Sequence, residues 1–360
     1  MTDRTELECI LKHQIPHIEG KNIWIWGTGD TAWLYQQGFK RLENEGFIIQ
    51  GYIDNDALKA GGTFCGKLVI SPDEVQKIDN PCVMICSINS NVVREVMAQL
   101  STMQVEWHLL DEVILKIHAN SVMQVYDVLS DECSKETFAD IVKSRITGKE
   151  MEPRELEEDY FILPPFAQED PEEVFVDCGA WRGDTVERYV AHKKGVFRRI
   201  YAFEPDEINF AALKNTVDCI TGQYDLAEES FMLCPFGVGE TTKEGFFERY
   251  EKNNGQGSKY QTSSTESGGG YASKIIALDE FLTEPYSFLK ADIESFEYQM
   301  LCGARQGIHR YKPLLALCIY HNAVDLYSIP LLVKEYVPEY HLAIRHHAKN
   351  LTGTVLYAWV

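Results

Sequence analysis

Short apolar runs separated by helical patterns occupy most of the second half of the chain. Strands that alternate with helices in this way form parallel sheets covered on both faces. We therefore predict an α/β fold there, with a Rossmann-like sheet of seven strands whose last strand is antiparallel. The predicted strands are Glu173–Asp177, Arg199–Glu204, Phe231–Pro235, Ser287–Asp292, Leu314–Tyr320, Tyr340–His346 and Thr354–Val360.

The first part of the chain repeats this pattern on a smaller scale. Apolar runs from Asn22, at Phe47–Ile53, at Cys82–Cys86 and at Val105–Leu110 predict a small Rossmann-like α/β domain over residues 1–117. We interpret residues 118–170 as a helical connector and residues 171–360 as the second domain.

The insertion Phe246–Leu282 interrupts the second pattern with the glycine- and serine-rich stretch Gly255–Gly270. This composition predicts a flexible loop, which either folds over a substrate or is merely mobile.

Composition narrows the class of protein. The chain has 360 residues and a formal charge of −21, and a field of that sign repels nucleic acid and anionic membrane surfaces. The chain contains no apolar run long enough to span a membrane, and its first residues lack the apolar centre of a signal peptide. We therefore expect a cytoplasmic protein. Several of the ten cysteines lie in apolar runs (Cys82, Cys86, Cys234, Cys318), which predicts buried thiols, and their spacing does not suggest structural zinc.

The stretch Val176–Thr185 carries the strongest indication of a binding site. Gly179 and Gly183 follow a predicted strand and precede a helical pattern, so the backbone can turn sharply and approach a ligand. Glu204 ends the next predicted strand, where a carboxylate suits the two hydroxyls of a ribose.

Asp177 helps to distinguish between two nucleoside ligands for this turn. A carboxylate at the strand end repels the pyrophosphate of a dinucleotide but attracts the ammonium group of an amino acid. The turn therefore favours S-adenosylmethionine, whereas the alternative is a strand-to-helix turn that needs glycine only for packing.

A second glycine pattern lies near the start of the chain. Gly27, Gly29 and Ala32 match Gly-x-Gly-x-x-Gly/Ala, and Asp54 ends the following predicted strand. The pattern predicts a site for a nucleotide or nucleotide-sugar, or else a scaffold domain that keeps its glycines for turn geometry. A nicotinamide oxidoreductase is a weaker alternative, because no catalytic partner for hydride transfer is recognisable.

Four ordered motifs in residues 160–360 resemble the FkbM family of S-adenosylmethionine-dependent methyltransferases. They are Phe175–Thr185, Ala202–Asp206, Leu289–Glu297 and Ile319–His321. Many members of this family methylate hydroxyl groups of sugars or natural products, so the resemblance implies an O-methyltransferase with a sugar, glycan or related acceptor. Ser295 departs from the family pattern, which usually has glycine there. The first domain more weakly resembles small Rossmann-like domains that precede some of these enzymes and some sugar acetyltransferases.

The resemblance also implies roles for individual residues. The acceptor is expected beside Lys290, Asp292, Glu294 and His321, with Asp292 and His321 together serving as the base. Two carboxylates and a histidine also suit a divalent metal, which is an alternative here. A binding protein without turnover remains a further alternative, and homodimers are expected. The donor-binding residues implied are Asp177, Gly179, Ala180, Gly183, Asp184, Thr185, Glu204, Pro205, Phe236 and Gly237.

Overall fold

The chain forms two compact units whose division does not follow the order of the sequence. The computed structural model describes residues 3–14, 18, 20–151, 160–161, 163–248, 259–261, 270–348 and 350–360. The first unit comprises Met1–Glu155, Tyr320–Ser328 and Ala348–Gly353, and the second comprises Leu156–Ile319, Ile329–His347 and Thr354–Val360. The segments 320–328 and 348–353 thus belong to the first unit although they lie late in the sequence.

The first unit contains a six-stranded sheet of order β3-β4-β2-β1-β5-β6. Its strands are β1 (Asn22–Trp26), β2 (Ile49–Ile53), β3 (Thr63–Phe64), β4 (Lys67–Ile70), β5 (Pro81–Ile85) and β6 (Glu106–Leu109). Its helices are α1 (Asp3–Lys12), α2 (Asp30–Leu34), α3 (Gln36–Asn44), α4 (Pro72–Val75), α5 (Ser90–Met103), α6 (Leu110–Ile117), α7 (Ala119–Val128) and α8 (Glu132–Thr147).

The second unit contains a seven-stranded sheet of order β16-β17-β15-β14-β7-β8-β9, together with a four-stranded sheet of order β10-β13-β11-β12. The strands are β7 (Val174–Cys178), β8 (Arg199–Phe203), β9 (Phe231–Cys234), β10 (Gly237–Val238), β11 (Lys243–Glu248), β12 (Lys259–Gln261), β13 (Gly270–Ile276), β14 (Phe288–Ala291), β15 (Leu314–Cys318), β16 (His341–His346) and β17 (Thr354–Trp359). The helices are α9 (Pro164–Ala167), α10 (Asp184–His192), α11 (Glu207–Tyr224), α12 (Leu278–Phe281), α13 (Glu297–Gly303), α14 (Arg305–Tyr311) and α15 (Asp325–Tyr336), whose first turn belongs to the first unit, and a short 3₁₀ turn spans Glu228–Ser230.

The predicted mixed α/β fold is confirmed. The apolar runs predicted most strand positions to within one or two residues. β17 pairs antiparallel with both β15 and β16, whereas β14 and β7 pair in parallel. The hairpin β3–β4 and the four-stranded sheet were not foreseen. Most of the predicted loop Gly255–Gly270 lies outside the described residues. Its described residues, 259–261 and 270, are not loop but belong to strands β12 and β13 of that sheet.

Each unit has its own apolar core. In the first unit, Ile53, Val83 and Leu100 are almost fully excluded from solvent and pack in one cluster. In the second unit, the Phe175 ring stacks on Tyr189 with centroids 4.3 Å apart, and aromatic contacts of this kind add to the free energy of area burial. These cores fix the positions of the strands. Ligands of parallel sheets bind at the carboxyl ends of the strands.

All ten cysteines are described and are free thiols, and those in the apolar runs are buried as predicted. Among the described helices, none combines the length and apolar character needed to cross a bilayer.

Candidate active site

The turn between β7 and α10 needs both of its glycines. Gly179 has a φ of +80°, and a Cβ there would lie 2.0 Å from the carbonyl oxygen of Asp292. Gly183 has a φ of +89° and a Cβ there would contact Thr216 and Leu213 at 3.0–3.1 Å. Gly179 therefore lets the turn pack directly against the segment after β14, and Gly183 lets it pack against α11. This packing role was the alternative interpretation of the turn, and it accompanies rather than replaces the polar groups described next.

Asp177 is a fully buried carboxylate near the end of β7, directly before this turn. Its Oδ1 lies 2.8 Å from Nζ of Lys290, and that ammonium also donates to the carbonyl oxygen of Gly179 at 2.9 Å. Within the described part of the chain, neither Asp177 oxygen accepts a hydrogen bond of good geometry. Burial raises the pKa of Asp177 to about 6 despite the ion pair. A buried carboxylate with unused acceptor capacity suits a donor from a ligand.

Lys290 keeps its charge in this environment. Burial opposes the ammonium charge, but the carboxylates of Asp177 and Asp292 outweigh it and raise the Lys290 pKa. Its polar contacts are with the Asp177 carboxylate and the carbonyl oxygen of Gly179, so it ties the glycine turn to β14. The place of Lys290 beside a methyl acceptor stays a prediction.

Glu204 follows β8 and is bound by the same turn. Its carboxylate accepts hydrogen bonds from the backbone N–H of Trp181 at 2.9 Å and of Asp206 at 2.8 Å. Burial raises the pKa of Glu204 to about 8, against the effect of these two bonds. A carboxylate oxygen accepts more than one hydrogen bond, so capacity for ribose hydroxyls remains.

A cavity of about 290 Å³ lies beside the residues implied for the adenine end of the donor. Pro205, Phe210 and Phe236 line it with rings, and the Nζ of Lys274 lies 5.8 Å from the centroid of the Phe236 ring. Flat apolar walls of this kind suit a nucleobase. Gly237 begins β10 directly after this wall.

Three further residues implied for the donor lie at the start of α10 or just before it. The N–H of Ala180 donates to the Phe203 carbonyl at 3.0 Å. Thr185 is buried in the first turn of α10, whereas Asp184 is exposed and pairs with Arg188 at 2.9 Å.

Asp292 directly follows β14, and Tyr160 lies beside it. The Tyr160 hydroxyl is 3.4 Å from Oδ2 of Asp292, and Nζ of Lys290 lies 5.5 Å from the centroid of the Tyr160 ring. Tyr160 is not among the predicted site residues. From the sequence, an aromatic residue ahead of the proline pair could lie over the donor site, but packing against the sheet was the favoured interpretation.

Backbone strain is concentrated around these groups. Tyr160, Trp181, Glu294 and Ser295 all have positive φ values although none is glycine. Such residues cost roughly 1–3 kcal/mol each and cluster at functional sites. Ser295 has a φ of +73°, which explains why glycine suits this position of the motif.

His321 is buried and belongs to the first unit, whereas Lys290, Asp292 and Glu294 belong to the second. Glu297, which the sequence analysis left without a role, is fully buried and accepts a hydrogen bond from the N–H of Ile293 at 2.8 Å. It thereby holds the backbone directly after Asp292.

At the glycine turn of the first unit, neighbouring residues satisfy the carboxylate of Asp54 with hydrogen bonds. Asp54 accepts hydrogen bonds from the backbone N–H of Thr28 at 3.1 Å, from Nζ of Lys59 at 2.9 Å and from the N–H of Asp56 at 2.9 Å. The Thr28 hydroxyl also donates to it. Gly27 has a φ of +116°, whereas Gly29 has a φ of −89° and a Cβ there would meet nothing within 4 Å.

Comparisons with known proteins define the class of this fold. Methyltransferase FkbM from Methylobacillus flagellatus KT superposes with a TM-score of 0.56 at 20% identity, over 99% of this chain and 97% of that one. An rRNA methylase from Streptococcus thermophilus gives a TM-score of 0.31 at 16% identity, over 52% and 86% of the two chains. SMU.1697c from Streptococcus mutans, solved in complex with SAH, gives 0.31 at 12% identity, over 53% and 90%.

The family model described as Methyltransferase FkbM domain matches residues 177–345. Residues 177–345 therefore match an FkbM methyltransferase domain, which confirms the resemblance drawn from the four motifs. No curated protein matches the chain.

Proposed function

We propose that the protein transfers the methyl group of S-adenosylmethionine to a hydroxyl of a sugar, glycan or related metabolite. The observation that carries the proposal is the buried carboxylate of Asp177, which has unused acceptor capacity at the end of β7, directly before a glycine turn whose Trp181 N–H binds Glu204. The FkbM domain supports methyl transfer as the reaction class.

The described residues fit the three parts of the donor. Asp177 would accept from the ammonium group, Glu204 from the ribose hydroxyls, and the cavity lined by Pro205 and Phe236 would receive adenine. When bound, the donor supplies a methyl group on a positively charged sulfur, which is already activated for displacement. The protein then has to position the acceptor, since orientation alone contributes up to roughly 7–11 kcal/mol in well-aligned reactions.

A hydroxyl acceptor also gains from a base. A positioned carboxylate or imidazole contributes about 10²- to 10⁴-fold in rate. We propose Asp292 and His321 for this role, with Glu294 close to Asp292 in sequence and on the same strained turn. Tyr160, whose hydroxyl lies 3.4 Å from Oδ2 of Asp292, is proposed to orient that carboxylate.

Variants that separate donor binding from turnover test this proposal. Asp177→Ala and Glu204→Ala are expected to weaken S-adenosylmethionine binding about tenfold to a hundredfold, because each removes bonds to a charged group worth roughly 1.5–3 kcal/mol. Asp292→Ala is expected to bind the donor normally and to lose turnover. Calorimetry measures binding, and transfer of labelled methyl to a panel of hexoses, deoxyhexoses and UDP-sugars measures turnover.

Glu187→Ala provides a matched control, since Glu187 is an exposed acidic residue of α10. Equal loss of donor affinity in the Asp177, Glu204 and Asp292 variants would contradict the division of roles. Tight donor binding without transfer to any hydroxyl acceptor would instead favour the alternative of a binding protein.

A further inference from the structure

The segment Tyr320–Ser328 is built into the first unit by contacts on both sides of His321. This segment directly follows Ile319, the first residue of the motif Ile319–His321. Ile319 belongs to the second unit, whereas Tyr320 and His321 belong to the first. Its own turn is closed by Asn322, whose side-chain oxygen accepts the N–H of Val324 at 3.0 Å. The first unit adds several further anchors.

Arg145 of α8 holds the peptide group immediately before His321. Its guanidinium donates to the carbonyl oxygen of Tyr320 at 2.5 Å. The same guanidinium forms an ion pair with Asp111 of α6 at 2.8 Å, and the Arg145 side chain is fully excluded from solvent. Burial opposes the Arg145 charge, but Asp111 outweighs it and raises the pKa of the guanidinium.

Tyr35 holds the backbone on the other side of His321. Its hydroxyl accepts the N–H of Ala323 at 2.7 Å and donates to the second oxygen of Asp111. Burial raises the Tyr35 pKa well above its ordinary value, so the hydroxyl keeps the proton that it donates. Further along the segment, the ring of His118 stacks on Tyr327 with centroids 4.8 Å apart and planes 24° from parallel.

A buried ion pair of this kind is a poor device for stability alone. Desolvating the two charges costs several kcal/mol, and apolar residues of similar volume often serve stability equally well. Buried polar groups that hydrogen-bond to one another instead specify a particular geometry. Here Tyr35 and Arg145, which both bind Asp111, also bind the N–H of Ala323 and the carbonyl oxygen of Tyr320. They therefore specify the geometry of the backbone around His321.

We infer that Tyr35, Asp111 and Arg145 are positioning residues for His321, which act by fixing the backbone of the segment 320–328. This inference rests on the proposed role of His321 as part of the base. It gives the first unit a function that does not depend on a ligand at its glycine turn.

Tyr35→Phe tests the inference in the full chain, because it removes only the hydroxyl. Hydrogen exchange of the Ala323 amide, followed by mass spectrometry of peptides covering 319–328, is expected to accelerate at least tenfold. Methyl transfer to the best acceptor of the panel is expected to fall about tenfold in kcat, with the dissociation constant for S-adenosylmethionine changed less than twofold.

Tyr52→Phe is the matched control, since Tyr52 is also a buried tyrosine of the first unit and its hydroxyl interacts with Cys65. The control should leave exchange in 319–328 and kcat unchanged. Arg145→Lys, which keeps the charge but alters the bond to Tyr320, should give an intermediate loss of kcat.

The outcomes separate this inference from the proposed function. If His321→Ala loses turnover while Tyr35→Phe retains both wild-type exchange and kcat, the inference is wrong and the proposed base stands. If His321→Ala is fully active, the proposed base is wrong. If the panel yields no acceptor, the proposed function has failed, and unchanged exchange in Tyr35→Phe would also overturn the positioning of the segment.

Discussion

The two glycine turns of this chain have related sequences but differ in how their polar groups are satisfied. In the first unit, Asp54 is surrounded by donors from Thr28, Asp56 and Lys59. In the second unit, the Asp177 carboxylate has an ion pair but no hydrogen bond of good geometry among the described residues. Strand, glycine turn and acid therefore predict a local fold, whereas unsatisfied buried polar groups indicate a place for a ligand.

The largest expected difference between the two turns is the loss of stability when a glycine is replaced by alanine. Gly179→Ala should lower the free energy of unfolding by about 3 kcal/mol or more, because it combines a strained positive φ with overpacking. Its Cβ would lie 2.0 Å from a backbone oxygen, whereas that of Gly27 would lie 3.0 Å from one. Gly27→Ala should therefore cost less, roughly 1–3 kcal/mol for its φ of +116°. Urea denaturation of both variants measures this, and equal losses would contradict the steric argument.

The lysines of the two turns provide a second matched pair. Lys290→Met leaves Asp177 buried without its ion-pair partner, which typically costs about 3–5 kcal/mol. Lys59→Met removes a partly exposed partner of Asp54, where the expected loss is under about 1 kcal/mol. The side chains of Lys290 and Lys59 are 2% and 36% exposed.

Denaturation midpoints compare these two losses of stability. The double variant Asp177→Leu with Lys290→Met should recover stability without recovering donor binding. A stable Lys290→Met single variant would show that Asp177 is satisfied by other groups.

The strand positions in both units could be predicted from sequence because buried parallel strands are continuous apolar runs. The hairpin β3–β4 could not, because its strands are short and its turn depends on Cys65 and Gly66, which both have positive φ values. Contacts between residues far apart in sequence bring Lys290 to Asp177 and Gly179. Such contacts also place the segment 320–328 in the first unit. Local periodicity contains no information about such contacts.

The acids of the two turns should differ in their response to pH. Burial raises the Glu204 pKa to about 8, whereas the hydrogen bonds of Thr28 and Lys59 overcome burial and lower the pKa of Asp54. The contribution of Glu204 to stability is therefore present at low pH and is lost as pH rises towards 8, while that of Asp54 is lost only in acid.

A ligand whose ribose hydroxyls donate to Glu204 binds the ionised carboxylate, so its affinity should rise with pH up to about 8 and then level off. The rise should approach tenfold per pH unit well below the pKa. 5′-Methylthioadenosine is a suitable probe, because it carries the ribose without the amino acid. Calorimetry between pH 6 and 9 measures the effect, and Glu204→Gln should give weaker, nearly pH-independent binding. A flat profile in the wild type would remove Glu204 from the ribose site.

The smallest effect concerns Gly29, the glycine that the first turn does not need. Its φ is −89° and a Cβ would meet open space, which favours alanine by about 0.4–1 kcal/mol through the unfolded chain. Gly29 is also the N-cap of α2, where alanine is less favourable than glycine, so the net change in stability should stay under about 1 kcal/mol. Thermal unfolding measures the change. Calorimetry with NAD and UDP-glucose gives the complementary result, since binding to the wild type that Gly29→Ala abolishes would show that a ligand approaches the backbone there. The first turn would then be a nucleotide site, and the contrast between the two turns would concern which ligand each accepts.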